Sequence, residues 1–259
     1  MASERIFVGV SVLLFVTSVA VTIVWCVSMP ASNGMSMPGG WTMSMTWIRM
    51  PAQTWSVAAA SFLGMWDIMM AAMMLPSLLP MLWRYRRAVG GSGSLPLGWL
   101  TALVGMGYFF VWTLFGMAAY PLGIALAAVA MQWPSLARLV PMATGLAVLI
   151  AGLFQFSACK AFYLACCRDT AGHGCTLPAD AGAAWRYGLR LGRHCGYCCG
   201  NQMAILLVTG IMDLRTMVVV AAAIIIERLV PACGSAARAI GVVTVGAGIF
   251  LMLRAGGLV

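Results

Sequence analysis

Residues 6–27 read IFVGVSVLLFVTSVAVTIVWCV, from Ile6 to Val27, without one charged side chain. A helix of about 20 apolar residues crosses the hydrocarbon core of a bilayer. Arg5 precedes the run and no clear small-residue cleavage site follows it. The run is also longer than a signal-peptide core, so it is expected to be a retained membrane helix.

Working outward, the same kind of stretch recurs along the whole chain. Of 259 residues, 63% are hydrophobic and 8% charged, and the mean hydropathy is +0.97. Soluble domains carry roughly 25% charged residues. The fold expected is therefore all-α: a polytopic helical membrane protein forming a single transmembrane domain over residues 1–259, with the lipid bilayer as its surroundings. The alternating segments of a membrane barrel are absent. About seven transmembrane helices are expected, over 6–27, 54–82, 97–119, 139–163, 185–211, 214–230 and 239–256. Residues 121–131 are apolar but too few to cross, and suit a re-entrant piece or an extension of the third helix.

The net charge of +9 is spread over short loops and does not suggest nucleic acid. With the N-terminus in the cytoplasm, ten arginines fall inside (Arg5, Arg84, Arg86, Arg87, Arg168, Arg186, Arg190, Arg193, Arg228, Arg238) and four outside (Arg49, Arg138, Arg215, Arg254). That bias orients the chain.

Sulfur and imidazole donors then fall into three groups. The outer loop, 28–53, holds two Met-x-Met pieces, Met35/Met37 and Met43/Met45, together with Met29 and Met50. A thioether binds Cu(I) without losing a proton. Flexible Met-x-Met segments resemble the outer loops of copper importers; the plainer reading is apolar filler with Trp41 and Trp47 as interfacial anchors. The second segment carries Met65, Met69 and Met73 at intervals of four, with Met70 and Met74 beside them, and Asp67 near mid-span. The methionines form either a donor face or a packing stripe. Asp67 needs a cavity or a partner such as Gln155 or Lys160. Pro76 and Pro80 interrupt the backbone ladder below it.

Residues 159–199 contain seven of nine cysteines and both histidines. Cys159 precedes Cys166, Cys167, His173 and Cys175 in the inner loop, and His194, Cys195, Cys198 and Cys199 follow on the fifth segment. Cys195 and Cys199 are one helical turn apart with Cys198 in the same arc, so they are expected to converge on one ion. A redox pair, lipidated cysteines and inert buried thiols are the competing readings. Cys26 and Cys233 read as apolar filler, and Asp213 as a partner of Arg215.

Several of these residues carry a resemblance. Trp66 with Met69-Met70-Ala71-Ala72-Met73-Met74-Leu75-Pro76-Ser77, then Gly107-Tyr108 and Trp112, Gln155 and Lys160, Gly192, Cys195, Cys198-Cys199 and Met203, and finally Gly210 and Met212-Asp213-Leu214, resemble in order a bacterial family of predicted metal-binding integral membrane proteins of unknown function. The resemblance spans about residues 60–230. Where that family often has tryptophan after the paired cysteines, this chain has Gly200. The resemblance implies metal binding in a bacterial inner membrane.

The sequence thus points to a copper-binding protein, with Cu(I) favoured and zinc possible, that transports or holds the ion rather than catalysing a reaction. Neither a phosphate loop nor an aspartyl-phosphate signature is present to drive a pump. The alternative is an accessory subunit of a larger, copper-dependent membrane enzyme, its metal serving structure or assembly beside other membrane subunits.

Overall fold

The computed structural model describes residues 2–28, 35–48, 53–89, 95–169, 178–229 and 233–258. Nine α-helices lie among them: α1 (Ala2–Ser28), α2 (Trp55–Ala88), α3 (Leu97–Gln132), α4 (Pro134–Ala137), α5 (Val140–Phe154), α6 (Ala158–Asp169), α7 (Ala181–Thr209), α8 (Leu214–Leu229) and α9 (Cys233–Ala255). A two-stranded antiparallel hairpin, β1 (Met35–Met37) and β2 (Trp41–Met43), pairs Met35 with Met43.

Among the described residues, four helices are long and apolar enough to cross a membrane: Ser3–Ser28, Trp55–Ala88, Leu97–Gln132 and Gly234–Ala255. Seven were expected, and three of the expected segments differ for identifiable reasons. The segment 139–163 is two helices. The chain breaks at Gln155–Ser157, where the Ser157 hydroxyl accepts the Lys160 N–H at 3.1 Å and so caps α6. That leaves α5 with 15 residues. The helix α7 runs for 29 residues but holds Arg186, Arg190 and Arg193 in its first half. The helix α8 has only 16 residues. Residues 121–131 do not form a separate piece: α3 continues through Pro121 to Gln132.

Local chemistry sets the helix ends. Thr54 caps α2, its hydroxyl accepting the Val57 N–H at 3.4 Å, and Asp180 caps α7, accepting the Ala183 N–H at 3.0 Å. Gly210, at φ +132°, ends α7 in a conformation few other residues adopt.

The outer segment is not a free loop over its described part. Gly39, at φ +105°, turns the hairpin with so little room that an added Cβ would sit 3.0 Å from the Arg138 Cα. Met37 and Met43 pack with Ala127, Ala130 and Ala137, and Trp41 Nε1 donates to the Ala137 carbonyl at 2.8 Å. This defines one end of the bundle, the hairpin end. At the other, Arg86 donates to the hydroxyls of Ser3 at 2.7 Å and Thr101 at 3.3 Å, tying α1, α2 and α3 together.

Small residues bring α3 and α7 close. A Cβ on Gly107 would lie 2.8 Å from the Trp185 carbonyl, and one on Gly188 would overlap that of Val104. Trp66 locks α2 to α3 by donating from Nε1 to the Trp112 carbonyl at 2.8 Å, over Gly116. The main core therefore forms where α2, α3, α7 and α8 face one another.

Candidate metal centre

The buried face of α2 is the methionine face. Met65, Met69, Met70, Met73 and Met74 are all buried, as is Met81 one turn beyond Leu78. The intervals of three and four that keep them on one side of the helix aim them into the bundle. Pro76 and Pro80 leave α2 unbroken. Their missing N–H groups free backbone carbonyls above them, and the Ser77 hydroxyl donates to one neighbouring carbonyl, that of Met74, at 2.9 Å.

On α7 the same periodicity buries Cys195, Cys198 and Cys199, each no more than 1% exposed. These thiols belong to the same contiguous buried cluster as the five methionines of α2, with Tyr108, Trp112 and Met203. Within the trio Cys199 is central, hydrogen-bonded to both Cys195 and Cys198. Tyr108 Oη lies 3.0 Å from Cys195 Sγ in a hydrogen bond. The thiols form a chain rather than a cage: no group of three or more His, Cys, Asp or Glu side chains is placed to hold a metal among the described residues. A site here takes its further donors from thioethers, which suits a soft ion content with few ligands.

Buried charge surrounds the thiols. Lys160 Nζ and Glu227 Oε2 are 2.9 Å apart, each side chain 1% exposed. Gln155 and Gln202 both donate to Glu227 Oε1, at 2.9 and 3.1 Å. Arg228, also buried, donates to the Ser77 hydroxyl at 3.3 Å, completing a relay from α8 to the Met74 carbonyl on α2. The fields of Arg228 and Lys160 reach Cys199, and that of Arg228 reaches Cys195.

The other expected site residues are placed differently. Asp67 is half-buried and accepts the Thr113 hydroxyl at 3.0 Å. It meets neither Gln155 nor Lys160, because Glu227 takes both. Cys159 is exposed, although its neighbour Lys160 is buried. His194 turns toward α6, its ring 6.0 Å from that of Tyr163, and its buried Nδ1 has no hydrogen-bond partner among the described residues. Met35 is 44% exposed, whereas Met37 and Met43 are packed against α3 and α4. The side chains of Met45, Cys166 and Cys167, and the whole of Met29, Met50, His173 and Cys175, lie outside the described residues. Asp213 does not pair with the Arg215 guanidinium in the described contacts; it accepts the Arg215 backbone N–H at 3.0 Å and the Thr216 hydroxyl at 2.7 Å, capping α8.

Two site residues escaped the sequence reading. Glu227 and Arg228 end an otherwise apolar run, Val218 to Ile226, at the edge of an expected span. A carboxylate next to an arginine at that depth, with a lone lysine elsewhere in the chain, is the signal that pointed to a buried ion pair.

A family model described as PpoB2, a copper chaperone, matches residues 63–251. Neither the curated proteins nor the solved structures contain a match. The matched region holds the methionine face, the three buried cysteines and the Lys160–Glu227 pair.

Proposed function

This chain belongs to the PpoB2 copper chaperone family, a non-catalytic one, and from that premise we propose that it is a membrane-embedded carrier that holds copper as Cu(I) and passes it on. The observation that carries the proposal is the shared buried cluster of α2 methionines and α7 cysteines. Thioethers bind Cu(I) weakly and thiolates bind it strongly, so an ion entering along Met65, Met69 and Met73 moves downhill toward Cys195, Cys198 and Cys199.

Charge supports the same reading. Cu(I) between two thiolates carries one net negative charge. Arg228, Lys160 and Glu227 together carry one net positive charge. The loaded site is then neutral overall, which a low-dielectric interior requires. Cysteine binds zinc as readily as copper, but the methionine thioethers beside the cysteines favour Cu(I).

We place the chain in a bacterial inner membrane with its N-terminus in the cytoplasm. Seven crossings would count α5 with α6, α7 and α8 alongside the four long apolar helices. The exposed apolar side chains of α1, such as Ile6, Leu13 and Val24, suit contact with lipid. On this arrangement the hairpin end faces outward and the cysteines lie toward the cytoplasm, where thiols stay reduced. The family description as a chaperone favours delivery to a recipient copper protein; the alternative, an accessory subunit of a larger copper-dependent membrane enzyme, predicts co-purification with partners in fixed ratio.

The test is copper content. Replacing Cys195, Cys198 and Cys199 by serine is expected to remove most copper from detergent-purified protein loaded with Cu(I), while Cys159→Ser leaves it unchanged. Equal copper in the triple variant and the parent would refute the proposal.

A further inference from the structure

At the hairpin end, α1, α2 and the turn from α7 to α8 line a narrow cleft with about 10 Å³ of room, enough for one water-sized guest. Nine of the described residues line it, and five carry sulfur: Cys26, Met65, Met69, Met212 and Met217. The chain has 30 sulfur-bearing residues, 21 methionines and nine cysteines, among 259, which would place about one in such a lining. The concentration is local and comes from three separate parts of the chain.

Two further features suit a cation there. The carboxylate of Asp213 is exposed at the turn next to Met212, held by the Arg215 N–H and the Thr216 hydroxyl. Met65 and Met69 belong to the cleft and also to the buried methionine face that leads to the cysteines. The cleft is therefore the mouth of that face and not a separate pocket.

We propose that this cleft is the entry site for the soft monovalent cation, with Cys26, Met212 and Met217 as donors beside Met65 and Met69. The inference rests on copper being the cargo, as argued above. Asp213 draws the cation to the turn, the thioethers of Met212 and Met217 hold it without proton loss, and Cys26 releases its proton on joining them. Met65 and Met69 then carry the ion to the next turn of α2. Cys26 thus has a ligand's role, and Met212 and Met217 add donors from α8 and the turn before it.

Silver ion is a redox-inert stand-in for Cu(I), and alkylation reads each cysteine separately. Full-length protein in detergent is titrated with silver nitrate, treated with N-ethylmaleimide and digested, and the labelling of Cys26 is measured by mass spectrometry. Silver is expected to protect Cys26. In Met212→Leu/Met217→Leu, a volume-conserving change, half-protection of Cys26 is expected to need at least about tenfold more silver, since every tenfold corresponds to the loss of one modest ligand contact. Unchanged half-protection in that variant, or no protection of Cys26 in the parent, would overturn the entry site. Copper content of the Cys195/Cys198/Cys199 serine variant reports the inner site separately. Loss of copper in that variant with no silver protection of Cys26 in the parent defeats the cleft and leaves the inner site standing; protection of Cys26 with unchanged copper in that variant defeats the inner site alone.

Discussion

Replacing Glu227 by glutamine keeps the shape of the side chain and removes its charge. Lys160 Nζ, 2.9 Å away and 1% exposed, then has no counter-charge. At an effective dielectric constant of 20, Coulomb's law puts the lost attraction at about 6 kcal/mol. Part of that is recovered because the desolvation of the carboxylate, several kcal/mol on its own, is no longer required. The remaining amide can still receive a hydrogen bond from Gln155 or Gln202. Breaking one half of a buried pair generally costs about 3–5 kcal/mol, and that range is expected here. The second half of the experiment is Lys160→Met in the same chain. With both charges gone, stability is expected to return to within about 1–2 kcal/mol of the parent, because a buried pair contributes little net stability relative to apolar replacements. The assay is thermal unfolding of detergent-purified protein followed by tryptophan fluorescence, where the single variant should fall by on the order of 10 °C. A single variant within about 1 kcal/mol of the parent, or a double variant less stable than the single, would refute the claim that the pair is buried and mutually dependent.

Tyr108→Phe removes the hydrogen bond to Cys195 and is expected to cost about 1 kcal/mol of stability by the same unfolding assay; a Cu(I) competition titration with a chromogenic chelator should show weaker binding, by less than tenfold. Gly188→Ala drives a methyl group into the Val104 carbonyl and should cost about 1–3 kcal/mol, whereas Gly200→Ala, with open space around it, should be neutral or slightly stabilising in the same melting series. Asp67→Asn keeps the Thr113 partner and is expected to leave the melting temperature within a few degrees while slowing metal uptake into sealed proteoliposomes; normal uptake would assign Asp67 to structure alone.

Helix existence and type were legible from residues such as Ile6–Val27, where one uninterrupted apolar run decides the matter. The break at Gln155–Ser157 was not, because Ser157 looks like any small residue until its hydroxyl is seen to cap α6. The hairpin between Met35 and Met43 was missed for a related reason: three-residue strands have too short a pattern to register, and Pro38-Gly39-Gly40 reads equally well as a loop. Among the site residues, the intervals of the α2 methionines and of Cys195 and Cys199 named their shared faces correctly. The local pattern also grouped His194 with the thiols, but adjacent helical positions point about 100° apart, and its ring went to Tyr163.

The sequence by itself determined that the chain is helical, apolar and rich in soft donors, because hydropathy and helical period are local properties that each segment carries alone. Only the tertiary structure decided which donors meet. α2 and α7 reach one core through α3, by the close approach at Gly107 and Gly188 on one side and the Trp66–Trp112 lock on the other, and the burial of Lys160 and Arg228 depends on where α8 lies. Such meetings arise from contacts between residues far apart in the chain, 151 positions in the case of Arg228 and Ser77, and no single stretch of sequence encodes a distance across the bundle.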